Sequence, residues 1–353
     1  MGSVASRRAT IGQVAEAAGC STATVSRVIN GGAMIRPELR STVEETIRRL
    51  GYRPSAVGRS LKTRRSRSIG CIIPSLTNPV FASSISGVEM VARKHGWTVL
   101  LSATDYQRDR ETDAIESLLS RDIEGLILTV TNPDDSPALD LLDREKVPYV
   151  LVYNEPLVKP RPAVTVDNAS STRQLTEKLV TLGHRRICYV AGRFSSSDRS
   201  RRRYEGYLAA MAAAGAEAMP VIEVDYLATT EDHRRDLADR LVSAGKPTAL
   251  MCSNDLLAIS IIAALRQLGY RVPKDVSVTG FDGIALGGML SPALTTIDQQ
   301  PTKLGLQATQ WLLSGLEQDA DIDREIQFID FEFRPGATLA SAPGRSRKVR
   351  RAS

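Results

Sequence analysis

The sequence predicts a small all-α N-terminal unit followed by a two-lobed α/β domain with parallel sheets. Two observations support this fold class. In the first segment, apolar residues recur at helical spacing between short turns. Beyond residue 68, short apolar runs alternate with longer amphipathic stretches, which is typical of strand-helix units in a parallel sheet.

Three short helices are predicted in the first segment. Thr10 and Ser21 are suited to cap the first two helices, and Gly19 suits the turn between them because glycine tolerates a positive φ. The third helix is expected to start near Pro37 and to end at Gly51. Its predicted buried residues are Leu39, Val43, Ile47 and Leu50.

The charge distribution predicts a polyanionic partner for this segment. Residues 1–68 hold 13 basic and 4 acidic residues, whereas the chain as a whole has a net charge of +6. Two helices joined by a tight glycine turn in so basic a segment indicate a helix-turn-helix, whose second helix would enter the major groove of double-stranded DNA. Any three-helix bundle could show a similar apolar pattern, so that alternative stays open. The predicted outward face of the second helix carries Thr22, Ala23, Ser26 and Arg27.

The α/β body is predicted from seven apolar runs that read as strands. Because the units number at least six over some 270 residues, we expect two sheets and two lobes, with a ligand in the cleft between them. The runs are Ile69–Ile73, Thr98–Leu101, Gly125–Thr129, Tyr149–Tyr153, Ile187–Ala191, Ala249–Cys252 and Val276–Gly280.

Several classes of protein are not predicted. No apolar run approaches the roughly 18 residues of a membrane span, and no apolar stretch follows Arg7 and Arg8, so we expect a cytoplasmic protein without a secretory signal. The four cysteines are far apart in the sequence, so no disulfide framework or zinc site is predicted, and the three histidines are too isolated from one another to predict a metal site. The motifs of a P-loop, a nucleophile elbow and a zinc protease are missing, so neither an enzyme nor a cofactor is predicted.

The motifs, taken in order, resemble those of the lactose/galactose repressor (LacI/GalR) family. The resemblance begins with TIGQVAEAAGCSTATVSRVIN and GYRPSAVGRSLKTRRSRSIG, continues through RYEGY, CSND and GFDG, and runs from Ala9 to Ala340. It implies a repressor that binds a pseudo-palindromic operator as a homodimer. An exported solute-binding protein is the alternative that the body alone would fit. The expected organisation is a headpiece (1–53), a hinge (54–68), a periplasmic-binding-protein-like effector-binding and dimerisation domain (69–340) and a basic disordered tail (341–353).

For the DNA contacts, the resemblance implies that Thr22, Ala23 and Arg27 read bases. It also implies that Leu61 wedges into the minor groove, although ordinary linker packing is its alternative. Gly58 stands where the family usually has alanine, which predicts a weaker hinge helix, by about 1 kcal/mol. The full predicted set is Thr10, Ser21, Thr22, Ala23, Ser26, Arg27, Asn30, Tyr52, Ser55 and Leu61.

For the effector, acidic and amide groups, an arginine and aromatic residues predict a polyhydroxylated or carboxylate ligand, a sugar or a sugar acid. Arg199 is included because the run DRSRRR is unusually basic and could hold an anion, but it could equally be a solvated helix face. Asp255 could instead cap its helix, and Phe81 could belong to the core. Tyr153 replaces an acidic residue common in the family. The positions of the family's effector contacts, as the resemblance implies them, together with Arg199 from the basic run, give the predicted set Asn78, Phe81, Arg199, Arg203, Tyr226, Asn254, Asp255 and Asp282.

Overall fold

The computed structural model describes residues 9–29, 35–52, 65–225 and 246–343. The chain forms two compact units, residues 1–67 and 68–353, and each is considered by itself. Most of the predicted hinge, including Gly58, lies outside the described residues.

The first unit contains three helices whose starts are fixed by local hydrogen bonds. The Thr10 hydroxyl accepts from the Gln13 backbone N at 3.3 Å while the Gln13 side chain accepts from the Thr10 backbone N at 2.8 Å, which forms a capping box. The Ser21 hydroxyl likewise accepts from the Thr24 backbone N at 3.1 Å. Both predicted caps are therefore confirmed. The helices are α1 (Ile11–Ala17), α2 (Thr22–Ile29) and α3 (Pro37–Leu50).

The core of this unit forms where the three helices meet. Val14, Val25 and Val43 each come from a different helix and are fully buried. Leu50, predicted to be buried, is 37% exposed, so that prediction is wrong. The reason is that Gly51 turns the chain with φ +60°, and Tyr52 packs against this end of the core instead.

The second unit contains two six-stranded sheets with helices between the strands. All seven predicted runs are strands. The strands are β1 (Ser68–Ile73), β2 (Thr98–Ala103), β3 (Gly125–Leu128), β4 (Tyr149–Val152), β5 (Ala163–Thr165), β6 (Ile187–Gly192), β7 (Ile222–Val224), β8 (Ala249–Cys252), β9 (Ser277–Asp282), β10 (Thr295–Asp298), β11 (Ile326–Phe328) and β12 (Glu332–Arg334). The helices are α4 (Pro79–Lys94), α5 (Arg108–Leu119), α6 (Pro137–Glu145), α7 (Asn168–Thr181), α8 (Asp198–Ala213), α9 (Asp255–Gln267), α10 (Ala285–Gly288) and α11 (Pro301–Gln318).

Each sheet forms one lobe. The first has the order β11-β5-β4-β3-β1-β2 and is entirely parallel. The second has the order β12-β10-β9-β8-β6-β7 and is parallel except for the edge strand β12. The sequence did not reveal β5, β7, β10, β11 and β12, which have only three or four residues each; β7, β11 and β12 are in addition partly exposed.

The chain passes between the lobes three times: after β5, after β10 and between β11 and β12. These crossings place α11 in the first lobe, where it packs closely on α4. A Cβ at Gly87 would lie 2.2 Å from the Thr302 carbonyl oxygen, and one at Gly305 would lie 2.0 Å from that of Ser84. Two glycines therefore permit this close approach of the helices.

The second unit extends beyond the predicted end of the folded domain. Ala342 is buried, and its backbone N donates to the Leu182 carbonyl oxygen at 3.0 Å. The prediction that disorder begins at residue 341 is therefore wrong, because this contact fixes the chain against the second lobe. Within the described ranges, no helix is long and apolar enough to cross a membrane.

Candidate functional site

The outward face of α2 presents the residues predicted to read bases. Thr22, Ala23 and Arg27 are exposed, whereas Ser26 is half-buried. Within the described part of the chain, Arg27 forms no salt bridge, and α2 contains no acidic residue. The guanidinium is therefore available for a bidentate contact with guanine.

Two other predicted DNA contacts are already engaged within the headpiece. Thr10 and Ser21 use their hydroxyls as the caps of α1 and α2, which leaves their exposed sides for a phosphate. Tyr52 is half-buried against the headpiece core. Three more predicted contacts lie outside the described residues: Asn30, Ser55 and Leu61.

In the second unit, side chains from both lobes converge on one small cavity of about 30 Å³. Six of the eight predicted effector residues line it: Asn78, Phe81, Arg199, Arg203, Asn254 and Asp282. Its other lining residues are Val80, Tyr106, Tyr153, Ser197 and Gln299. Tyr226 lies outside the described residues.

The fold places these residues at the carboxyl ends of strands, where helices begin. Asn78 follows β1 and caps α4, and its Oδ1 accepts from the Val80 backbone N at 3.2 Å. Asn254 follows β8 and caps α9 in the same way, accepting from the Leu257 backbone N at 2.7 Å. Each asparagine uses its side-chain oxygen to cap a helix, and both residues line the cavity.

Asp282 is the carboxylate that faces the cavity. It ends β9 with φ +121°, a backbone conformation that costs a non-glycine residue of order 1–3 kcal/mol and is maintained by its surroundings. Gln299 Nε2 donates to its Oδ1 at 2.6 Å, and Asn78 also bonds to it. Burial raises the pKa of Asp282 to about 6, while the nearby Arg203 acts in the opposite direction.

Arg203 is held rigidly beside that carboxylate. Its Nη1 lies 3.6 Å from Asp282 Oδ1 and donates to the Ser253 carbonyl oxygen at 2.6 Å. Its Nε donates to Asn168 Oδ1 at 2.7 Å, and the guanidinium lies 3.6 Å from the centroid of the Phe281 ring. The positive charge is thus fixed in place and balanced by Asp282.

Arg199 is buried, which excludes the solvated-face alternative for this residue. Its Nη1 donates to the Val130 carbonyl oxygen at 2.9 Å and to Asp198 Oδ1 at 2.8 Å. The expectation that it offers a free cation to an anion is not supported by this arrangement, because Asp198 already pairs with it. The exposed member of the DRSRRR run is Arg201.

The aromatic wall comes from the first lobe. Phe81 meets Tyr153 edge to face, with ring centroids 5.5 Å apart, and meets Tyr106 at 6.4 Å. Phe81 is both a core residue and a lining residue, so the two predicted roles coexist. Tyr153 stands where the family commonly has an acidic residue. Its hydroxyl donates to the Val80 carbonyl oxygen at 3.1 Å, so this donor bonds the protein and not a ligand.

Asp255 does not line the cavity, so the prediction that it contacts the effector is wrong. It is fully buried, and its oxygens accept from the Thr296 hydroxyl at 2.5 Å and from the Ile284 backbone N at 2.9 Å. The capping alternative also fails, because Asn254 caps the helix. Burial, followed by the charge of Asp282, raises the pKa of Asp255 to about 8.

The polar lining residues that the sequence analysis missed are Gln299, Tyr106 and Ser197, and the first two were missed for different reasons. Gln299 follows β10 directly, so the strand-end rule would have found it had that strand been recognised. Tyr106 is directed into the cavity by a loop in which Asp105 and Tyr106 have φ values of +52° and +58°. Two consecutive left-handed non-glycine residues leave no signal in a sequence pattern.

The arrangement is suited to binding. The carboxylate and the two guanidiniums that line the cavity are engaged with protein partners, while amide, hydroxyl and aromatic groups surround the space. Among the described residues, no group of three or more His, Cys, Asp or Glu could hold a metal ion.

Comparisons with known proteins agree with both units. Residues 66–332 match the family described as periplasmic binding proteins and sugar binding domain of LacI family, and residues 10–55 match the bacterial regulatory proteins, lacI family. Catabolite control protein A from Priestia megaterium is 31% identical over 313 residues, which is 88% of this chain and 93% of that protein. The transcriptional repressor PurR from Pasteurella multocida (strain Pm70) is 33% identical over 315 residues, 89% of this chain and 93% of that protein.

Solved structures of transcription regulators are also similar to this chain over most of its length. The lac repressor dimer bound to operator and the anti-inducer ONPF is similar with a TM-score of 0.83 and 26% identity, over 95% of this chain and all of that one. The complex of the transcriptional regulator CelR with cellobiose has a TM-score of 0.68 and 26% identity, over 94% of this chain and 100% of that one. These relatives favour a regulator over the transport alternative. The chain belongs to the LacI family of bacterial regulatory proteins and is a DNA-binding transcription regulator rather than an enzyme.

Proposed function

We propose that this chain is a dimeric repressor whose operator affinity is set by a small, neutral, polyhydroxylated ligand in the cleft. The observation that carries the proposal is the cavity lining, in which amide and hydroxyl groups surround an aromatic wall and each charge has a protein partner. Polar groups of this kind fix the orientation of a small ligand, and the apolar wall contributes contact area.

The headpiece supports the DNA half of the proposal. Thr22, Ala23 and Arg27 lie exposed on α2, on the face opposite its buried valines. A dimer with two-fold symmetry presents two such helices, so its operator is expected to be pseudo-palindromic. The predicted wedge at Leu61 remains part of the proposal, although that residue lies outside the described part of the chain.

A neutral ligand is favoured over a sugar acid by the pairing of charges. Arg199 is bonded to Asp198, and Arg203 lies beside Asp282. An anionic ligand would have to displace one of these carboxylates, and leaving a buried charge without its partner is costly. Hydroxyl groups can instead donate to Asp282 and accept from Asn78 or Asn254 without breaking an ion pair.

The ligand would act by thermodynamic linkage. If it binds one arrangement of the two lobes better than another, it shifts the population toward that arrangement. If operator binding prefers one of the two, ligand and operator affinities are coupled by the same free energy in both directions.

An electrophoretic shift assay on the DNA upstream of the chain's own gene tests the proposal directly. We expect a sequence-specific shift that changes when neutral sugars from a metabolite panel are added. A complete lack of sequence-specific shift under every condition would contradict the DNA half.

Calorimetric titration of neutral and acidic sugars then tests the ligand class. We expect Arg203→Ala to abolish binding, while Arg201→Ala, an exposed arginine on the same helix, serves as the matched control. Tight binding of a sugar acid that is lost in Arg199→Ala would contradict the neutral ligand and would restore Arg199 as the anion-binding group.

A further inference from the structure

The first turn of α8, in the second lobe, reaches across the cleft to two loops of the first lobe. Asp198 Oδ1 accepts from Asn154 Nδ2 at 2.8 Å, and its Oδ2 accepts from the Glu155 backbone N at 3.1 Å. The Asp198 backbone N donates to the Thr131 carbonyl oxygen at 3.0 Å. One residue therefore makes three hydrogen bonds between the lobes, to the loops that follow β3 and β4.

Arg199 adds a fourth bond at the same place. Its Nη1 donates to the Val130 carbonyl oxygen at 2.9 Å while pairing with Asp198. We call this set the inter-lobe clasp: Asp198 and Arg199 in the second lobe, with Val130, Thr131, Asn154 and Glu155 in the first.

The half of the clasp in the first lobe is held together by its own hydrogen bonds. Asn154 is fully buried, and its amide bonds both the backbone N and the carbonyl oxygen of Val130 at 2.9 Å. Glu111 Oε1 accepts from the Thr131 backbone N at 2.7 Å. The two loops are thus fixed relative to each other by contacts within one lobe, so the acceptors and donors for α8 are already in position.

The clasp is also chemically strong. The side chains of Asp198 and Arg199 are only 11% and 6% exposed, and hydrogen bonds that involve an ionised group are about twice as strong as neutral ones. Loss of the Asp198 carboxylate would leave Arg199 buried without its counter-charge. Every bond of the clasp joins two protein groups, so its formation requires no ligand.

We infer that Asp198 is a positioning residue that holds the two lobes closed, and that Arg199 belongs to this clasp and not to the ligand. The inference deepens the proposed function and rests on it for its regulatory meaning. If only the closed arrangement binds ligand, apparent affinity scales with the closed fraction, which the clasp raises. The ligand then enters while the clasp is open and is retained in the closed arrangement.

The distance between the lobes tests this inference without any ligand or operator. Spin labels are attached to Asp113→Cys on α5 and Ala209→Cys on α8, both at exposed positions, and the distance is read by pulsed electron resonance on the full chain. The half-exposed Cys20 is replaced in Cys20→Ser, since the other three cysteines are buried. Dilution with unlabelled protein restricts the signal to distances within one chain.

We expect Asp198→Ala to lengthen and broaden the distance distribution. Glu177→Ala is the matched control, because it removes an exposed carboxylate of the second lobe whose ion pair with Arg173 lies within a single helix, α7. Its distribution should equal that of the parent protein. An unchanged distribution in Asp198→Ala would overturn the inference.

A second variant protects the test against misfolding. Asp198→Asn keeps the shape of the side chain but places amide hydrogens against one of the two donors, Asn154 Nδ2 or the Glu155 backbone N. It should lengthen the distance less than Asp198→Ala does, and an unchanged distance would again overturn the inference. Since no operator is present, a failed shift assay would leave this result intact, and an unchanged lobe distance would leave the proposed function standing.

Discussion

Glu111→Gln is expected to remove a loss of stability that the parent protein suffers as the pH rises. Glu111 lies on α5 with 1% of its surface exposed, and its Oε2 is buried without a hydrogen-bond partner. Burial raises its pKa from 4.5 to about 7, against the opposing hydrogen bond from Thr131 and the charge of Arg199. A carboxyl group with a raised pKa in the folded state binds its proton more tightly there than in the unfolded chain.

The sign and size of the effect follow from that difference. Between pH 4.5 and about 7 the folded state holds more protons than the unfolded state, so the free energy of unfolding falls as the pH rises through this window. At 1.36 kcal/mol per pKa unit, the loss between pH 5 and pH 8 is about 2.5 kcal/mol. Glutamine cannot ionise, so the variant should not lose this stability as the pH rises.

Urea unfolding at pH 5 and at pH 8 measures the effect. Both tryptophans, Trp97 and Trp311, belong to the second unit, so their fluorescence reports the domain that contains Glu111. The free-energy difference between variant and parent should shift by about 2.5 kcal/mol in favour of Glu111→Gln at pH 8. Glu116→Gln, an exposed position on the same helix, controls for the change in net charge. A difference that stays constant with pH would refute the reasoning.

Three further predictions follow from individual contacts. Gly87→Ala should lower the free energy of unfolding, measured by urea titration, by about 3 kcal/mol, since its Cβ would lie 2.2 Å from a backbone oxygen. Gly288→Ala, which has open space around its Cβ, is the control and should lower the free energy of unfolding far less. Arg27→Ala should weaken operator binding by about 1–3 kcal/mol and relax the preference at one base pair in a titration of operator variants; equal loss on all sequences would indicate a phosphate contact instead. Arg203→Leu should lower stability by about 3 kcal/mol at neutral pH because it leaves Asp282 without its cation, and calorimetric melting equal to that of the parent would contradict the pairing.

The sequence predicted the parts of the fold that have strong local signals. The runs that became β1, β4 and β8 are apolar and end at polar or turn residues, because strands buried on both faces need no alternation. Short edge strands such as β7 and β12 are partly exposed and have no such signature. Their positions are set by pairing with a neighbour in the finished sheet, which a local pattern cannot express.

The candidate site was predictable where strand ends carry polar residues and unpredictable where distant charges meet. Asn78, Asn254 and Asp282 follow or end strands, so the parallel fold brings them together. The bond between Asp198 and Asn154 joins residues 44 positions apart on different lobes, and no spacing rule links them. The same carboxylate pairs with Arg199, and that pairing removes Arg199 from the anion-binding role that its local sequence suggested.

The DRSRRR run nevertheless contained a signal that two of its arginines are buried. On α8, the buried residues recur at helical spacing from Arg199 through Arg203 to Tyr207 and Met211, each four positions after the last. Two arginines therefore occupy the stripe that a helix turns inward, while Arg201 lies outside it and is exposed. Charges are rarely buried unless they are paired. Arginines in the inward stripe thus predict buried carboxylates or carbonyl oxygens that pair with them. Here Asp198 pairs with Arg199, and Asp282 lies beside Arg203.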